Sequence, residues 1–249
     1  MSLPKEFLER YDRQIRLFGV EGQEKLRNSK VLVAGVGGLG CASSLYLAAA
    51  GVGKLVLVDF GEVELSNLNR QILYRTSDVG RLKVEAASER LRELNPDVEV
   101  EGLRVRIGED NVSELVGMVD LVVDGMDNWR TRFILNDECV RQRKPFIHAG
   151  VFGMGGQLLV VLPGEGPCLR CILPSPPPEK GTFPILGVAP GVLGLLQAAE
   201  AIKLITGHGA PAVGRMLVYD GYRMEFREVE VRRRAGCEAC GNLQPTRLL

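Results

Sequence analysis

The chain has 249 residues, enough for one large α/β domain or two small ones and for a sizeable buried core. Its 31 basic side chains balance 31 acidic ones, so nothing in the charge suggests a nucleic acid or a charged membrane surface as partner. The charged N-terminus MSLPKEFLERYDRQ is no secretory signal, and the longest apolar stretches carry Gly, Lys or Glu, so no membrane span is expected and the six cysteines belong in a reducing cytoplasm.

Residues 4–28 read as helix and loop ahead of the first strand. Phe7, Leu8, Tyr11 and Ile15 fall at helical spacing, so part of this arm packs. Arg10, Arg13 and Arg16 lie three apart, which on their own evidence makes a solvated charged face.

Residues 30–40, KVLVAGVGGLG, hold a short apolar run that reads as a buried parallel strand, followed by Gly35-x-Gly37-x-x-Gly40. A small-residue helix, LGCASSLYLAAA, opens there and closes at Gly51. The first glycine permits a tight turn, the second lets amides approach a phosphate, and the third lets helix and strand pack closely. Helix dipole and free amides then favour an anion at the helix start. A second strand over 54–58 ends in Asp59, 19 positions beyond Gly40, where an acid is placed to accept hydrogen bonds from a ribose. A purely structural glycine turn is the plain alternative; strand, turn, helix, strand and acid in that order favour a nucleotide.

The polar stretch GEVELSNLNRQILY follows, outside the carboxyl end of a strand, where open α/β sheets bind ligands. It brings Asn67, Arg70, Gln71 and Arg75, and then Lys83, into one short span. A dinucleotide held by glycine amides has little need of so many cations, whereas a nucleoside triphosphate does. Ordinary surface arginines are the alternative. A helix over 83–95 ends at Asn95-Pro96.

A strand over 98–104 is followed by a buried one over 119–124 that ends Asp124-Gly125-Met126-Asp127-Asn128. Acids at a strand's carboxyl end beside a phosphate site suit Mg²⁺. Asp127 could equally be the N-cap of a helix over 129–142, with Asn128 in its first turn. A strand over 145–148 and the Gly-Gly-containing VFGMGGQLLVVLPG read as a continuing, antiparallel hairpin. The expected fold class is α/β, a Rossmann-like doubly wound, mostly parallel sheet extended by antiparallel strands.

Cys168-x-x-Cys171 and Cys237-x-x-Cys240 repeat one spacing 66 positions apart. Four thiolates so paired make a closed, structural Zn²⁺ site; two redox motifs are the alternative, though neither follows a strand and opens a helix. Cys41 and Cys139 read as small core residues, and the isolated His148 and His208 receive no role. Between the pairs, ILPSPPPEKGTFP can be neither helix nor central strand and reads as an extended loop over the nucleotide-facing edge. An apolar helix over 192–206 and two strands, 215–219 and 225–231, complete the chain.

The order RYDRQIRLFG, GVGGLG, DFGEVELSNLNRQ, GRLK, DGMDN, CxxC, LLQAAEAIKLITG, CxxC resembles the E1-like adenylating enzymes over residues 10–241. Within them it is most similar to the bacterial branch that activates ubiquitin-like sulfur carriers for molybdopterin or thiamin thiazole synthesis, the MoeB, ThiF and HesA group. The resemblance implies one adenylation domain over 1–249: a helical arm (1–28), a nucleotide-binding part (29–150), and a carrier-binding and zinc part (151–249). It implies ATP and Mg²⁺ on the glycine turn, attacked at the α-phosphate by the C-terminal Gly-Gly carboxylate of the carrier. Asp59 would hold the ribose, and Gly37 and Gly38 would face the phosphates. Asn67, Arg70, Gln71 and Lys83 would orient the triphosphate, while Asp127 would carry the metal with Asn128 beside it. Arg13 matches the arginine that dimers of the family send into the partner's site, which implies a homodimer.

One departure matters. Many relatives carry a loop cysteine between the second CxxC cysteine and the long helix, and residues 172–236 have none. Lys180 or Thr182 cannot stand in for a thiolate without different chemistry. Adenylation alone is expected, with sulfur delivered by a separate donor protein. An NAD-dependent oxidoreductase on the same start, a carrier-binding scaffold, and an enzyme adenylating another carboxylate, on a peptide or RNA, are the rival readings.

Overall fold

The computed structural model describes residues 4–178, 181 and 183–244. In chain order the elements are α1 (Lys5–Arg10), α2 (Asp12–Asn28), β1 (Lys30–Ala34), α3 (Gly38–Ala50), β2 (Lys54–Val58), α4 (Lys83–Leu94), β3 (Glu99–Leu103), α5 (Val112–Gly117) and β4 (Leu121–Asp124). They continue with α6 (Trp129–Arg141), β5 (Phe146–Phe152), β6 (Gly155–Val161), α7 (Leu169–Ile172), α8 (Val188–Thr206), β7 (Arg215–Asp220) and β8 (Glu225–Glu230).

The strands form one sheet in the order β3-β2-β1-β4-β5-β6-β7-β8. Strands β3 to β5 run parallel, and β6, β7 and β8 continue antiparallel. The apolar runs of β1, β2 and β4 are buried almost throughout, as strands covered by helices on both faces must be. Side chains alternate across the sheet. Val31 and Val33 face α2, α3, α4 and α8, while Leu32 and Ala34 face α5, α6 and the four paired cysteines.

Register sets the functional rim. Ala34 lies beside Val58 on one side and Asp124 on the other, so β1, β2 and β4 end in line. The glycine turn, Asp59 and the Gly125–Asn128 loop therefore emerge together at the carboxyl edge, at the switch where α/β sheets take ligands.

The short helices α5 and α7 have no counterpart in the sequence reading, and the N-terminal arm and α8 differ from it. The N-terminal helix breaks at Tyr11 (φ −105°, ψ 13°) and again at Gly19 (φ 76°). Tyr11 is buried there, its hydroxyl accepting from Asn95 Nδ2 at 2.8 Å, so packing against the turn after α4 overrides helical continuity. Helix α8 begins at Val188, four residues earlier than expected, because Pro190 lies in its first turn, where a missing N–H costs no helical bond. This helix is long and apolar enough to cross a membrane by length and composition. Its Leu193, Ala198 and Ala201 are instead buried against α3 and the sheet, as in a core helix.

Candidate active site

The glycine turn is fixed by its own sterics. Gly35 sits at φ +85°, and a Cβ on it would come within 2.7 Å of the Gly125 carbonyl. A Cβ on Gly40 would overlap the Gly35 carbonyl, so any side chain would push α3 off β1. Gly37 is the N-cap of α3 and supplies no side-chain acceptor, which leaves the first amides of the helix open toward the rim. Asp59 closes the turn from β2: Oδ2 accepts from Val36 N at 2.9 Å and Oδ1 from Gly61 N at 2.8 Å. Tyr74, whose phenol is kept protonated by burial, donates to the Val36 carbonyl at 2.8 Å.

The cationic span after β2 folds back onto this turn. Arg70 donates through Nη1 to Ser66 O at 2.8 Å and Asn69 Oδ1 at 3.0 Å, and its Cγ lies beside Gly38. Lys83, the first residue of α4, sets its Nζ beside Gly61 next to the Asp59 carboxylate. Arg70 and Lys83 thus approach the start of α3 from its α8 side and from β2. Asn67 and Gln71 are buried in the turn that carries Arg70. The Asn67 amide oxygen accepts from Glu64 N at 3.2 Å, and Gln71 Oε1 has no hydrogen-bond partner among the described residues. Arg75 does not join them; it points to Glu93 at 3.4 Å in a surface ion-pair cluster.

At the end of β4 the two acids part company. Asn128, not Asp127, caps α6, accepting from Thr131 N at 2.9 Å. Asp127 is left exposed on the rim, with Oδ1 accepting from Asn128 Nδ2 at 3.3 Å. Asp124 is fully buried, and its Oδ2 lies 2.6 Å from His148 Nδ1. Asp124 is therefore no rim carboxylate, and His148, which the sequence left without a role, is its buried partner. Burial pushes the His148 imidazole below its ordinary value, so the ring is neutral, with the proton on Nδ1 toward the carboxylate.

Arg13 is exposed on α2. Its neighbour Gln14 donates to Ala50 O, at the far end of α3 from the glycine turn. Thirteen helical residues span about 20 Å, so Arg13 does not reach the rim of its own chain.

The four paired cysteines converge. Their sulfurs lie within 4.8 Å of one another, with Cys168–Cys237 at 3.7 Å, Cys171–Cys240 at 3.4 Å and Cys168–Cys171 at 4.0 Å. Tetrahedral zinc with Zn–S near 2.3 Å needs sulfur edges of about 3.8 Å, so the cluster could hold a metal with little adjustment. Burial pushes the Cys168 thiol up, whereas the Cys237 thiol, though burial also raises it, is brought down to about 7 by the amides of Cys240 and Ala239. Cys168 does precede a helix, but α7 is a single turn of four residues. Cys41 and Cys139 are fully buried core residues, their thiols raised by burial.

The Pro-rich segment lies along the same edge. Gly153 N donates to Pro184 O and Leu186 N to Gly153 O, both at 2.9 Å, and Gly187 packs on the backbone of Asn69 and Arg70. Lys180 and Thr182 lie outside the described residues. A separate open cleft of about 520 Å³, lined by Glu21, Lys25, Asp120 and Leu204, sits at the opposite end of β4 and has no part in this rim.

Sheet, glycine turn and cation-bearing rim define a class: an enzyme that binds a nucleotide on a Rossmann-type fold. The ThiF family model matches residues 11–239, and the chain belongs to the ThiF family. It is 45% identical over 261 residues to the sulfur carrier protein adenylyltransferase of Thermus thermophilus, covering 99% of this chain and 95% of that one. The SAMP-activating enzyme E1 of Haloferax volcanii is 44% identical over 249 residues, covering 97% and 92%. The adenylyltransferase and sulfurtransferase MOCS3 of Culex quinquefasciatus is 45% identical over 241 residues, and the chain spans 55% of its length. Within the family the chain groups with adenylyltransferases. Among solved structures, E. coli MccB with ATP superposes at a TM-score of 0.82 with 26% identity, covering 96% of this chain and 76% of that one.

Proposed function

We propose that the chain adenylates the C-terminal Gly-Gly carboxylate of a ubiquitin-like sulfur-carrier protein, consuming ATP and releasing pyrophosphate. The observation that carries this reading is the convergence of Arg70, Lys83 and Asp59 on the uncapped start of α3. Similarity to a sulfur carrier protein adenylyltransferase over nearly the full length of both chains supports the substrate class.

In this reading Asp59 accepts the ribose hydroxyls, and the amides of Gly37 and Gly38 face the phosphates. Asn67, Arg70, Gln71 and Lys83 orient the triphosphate and neutralise its charge. Asp127, with Asn128 beside it, holds Mg²⁺, which supplies charge neutralisation of the leaving pyrophosphate. The attacking carboxylate is ionised at neutral pH, so the chain supplies position and electrostatics, with no nucleophile or general base of its own. Arg13, set about 20 Å from the rim of its own chain, acts in the site of a second copy in a homodimer.

Residues 172–236 hold no cysteine, so the acyl-adenylate passes to a separate sulfur-donor protein and no thioester forms on the loop. A structural Zn²⁺ on the four cysteines and a reducing cytoplasm complete the proposal. Family membership weighs against the oxidoreductase reading. Adenylation of another carboxylate, such as a peptide terminus, is the second reading, favoured by the fold shared with MccB, solved with N-formylated MccA.

Carrier-dependent exchange of labelled pyrophosphate into ATP tests the proposal. Exchange that requires an intact Gly-Gly terminus and disappears in Asp127→Ala is expected. Equal exchange with a carrier truncated by those two glycines would overturn the substrate assignment.

A further inference from the structure

A buried polar cluster lies directly behind the rim, outside every role assigned above. Asp124, Arg132, His148 and Gln197 are each at most 8% exposed. Asp124 Oδ1 accepts from Met126 N at 2.9 Å, and its Oδ2 lies 2.6 Å from His148 Nδ1 and 3.5 Å from Arg132 Nε. Arg132 donates through Nη2 to the Met126 carbonyl. Both backbone polar groups of Met126 are therefore held by the same two side chains. Gln197, from α8, donates to the Asp124 and Ile147 carbonyls at 2.8 Å each, tying β4 to β5. Gly125 N bonds Ala34 O at 2.7 Å, so the loop is anchored to the glycine turn as well.

A solvent-facing loop needs none of this. Burying a carboxylate, a guanidinium and an imidazole is unfavourable unless each is paired, and the net worth of such a cluster to stability is small. What the cluster does fix is the backbone immediately before Asp127. We propose that His148 and Arg132 are positioning residues, which act through Asp124 and Met126 to hold Asp127 where a divalent cation bound with the nucleotide meets its carboxylate. The inference rests on the assignment of the metal to Asp127. His148 touches neither nucleotide nor metal in this arrangement; its Nδ1–H orients Asp124, as outer-shell partners orient ligating groups. Its Nε2 has no hydrogen-bond partner among the described residues and lies on the Gly150 side of the ring.

The test compares wild type, His148→Leu, His148→Asn and Asp127→Ala, with Mn²⁺ as a paramagnetic probe of the enzyme–ATP complex and a fluorescent ATP analogue in metal-free buffer. Asn places its amide nitrogen where the Nδ1 donor stood; Leu removes it. His148→Leu is expected to raise the half-saturating Mn²⁺ by about tenfold, typical of an outer-shell change. It should leave metal-free nucleotide binding within about twofold, and His148→Asn should recover most of the loss, a rescue that general destabilisation would not give. If His148→Leu fails to fold, Arg132→Met tests the same clamp through the Met126 carbonyl. Normal Mn²⁺ affinity in His148→Leu beside a loss in Asp127→Ala would overturn the clamp, and so would equal losses in the Leu and Asn variants. Normal affinity in Asp127→Ala would overturn the metal assignment and the clamp with it.

Discussion

Oδ2 of Asp59 accepts the amide of Val36 at 2.9 Å, so the acid at the end of β2 is tied to the glycine turn at the end of β1. Its other oxygen accepts from Gly61 N. A carboxylate has about four acceptor positions, so ribose hydroxyls can be accepted beside both amides. Asp59→Ala should therefore lower stability and nucleotide affinity together. The amides of buried Val36 and half-buried Gly61 lose a charged acceptor, at a cost of about 1–3 kcal/mol, and the melting temperature should fall by roughly 2–10 °C. ATP affinity should drop by roughly 10–100-fold. Asp59→Asn sets the donor NH2 of a carboxamide against one of the two backbone N–H donors and should recover at most half of either loss. Calorimetric titration and a thermal melt decide this; an Asp59→Ala protein that melts like wild type removes the structural half of the argument.

Lys83 differs from Asp59 because the fold does not need it. Its Nζ stands beside Gly61 at the rim, half-exposed, with no ion pair among the described residues. Lys83→Met should leave the melting temperature within a few degrees while lowering kcat/KM for carrier-dependent pyrophosphate exchange by about 10²–10³, the usual effect of removing one preorganised charge from a transition state. A parallel loss of stability would make Lys83 a structural residue instead.

How legible these roles were in the sequence follows from how local their causes are. The turn at 35–40 and the strand ending in Asp59 announce themselves, because glycine sterics and a buried apolar run act within ten residues of each other. The cysteine pairs were legible for the same reason, since metal geometry demands that spacing. His148 was not: a lone histidine in a strand becomes meaningful only when β4 and β5 pair and bring it to Asp124. The cap of α6 was one residue off, because Asp and Asn are equivalent at that position by propensity and only the backbone at 128 (φ −128°, ψ 144°) chooses. Arg75 and Arg70 look alike in the sequence; one meets Glu93 on the surface and the other meets Gly38.

The cysteine cluster predicts a metal-dependent stability. A metal on it would join the segment after β6 to the C-terminal region after β8 and close a long loop. One zinc per chain is expected by elemental analysis. Removal with a strong chelator, or Cys240→Ser, should lower the melting temperature by on the order of 10 °C, because metal affinity adds to folding free energy. Cys41→Ala should leave zinc content unchanged. A Cys240→Ser protein that keeps one tightly held zinc would place the metal elsewhere.

Arg13 gives the sharpest prediction about assembly. It lies near the Ala50 end of α3, whereas the proposed phosphate site lies at the Gly38 end, about 20 Å away along a rigid helix. If Arg13 acts, it acts on a second copy. Arg13→Ala and Asp127→Ala should each abolish most exchange activity when tested alone. When the two variants are mixed under conditions that allow subunits to redistribute, half the dimers carry one chain of each kind. In each of those, one site lacks both residues and the other has both. Activity should therefore return to about a quarter of wild type, as a two-fold symmetric dimer with a crossing residue requires. A mixture that stays as inactive as its parts would overturn the crossing role, and an Arg13→Ala protein as active as wild type would leave Arg13 a solvated surface charge.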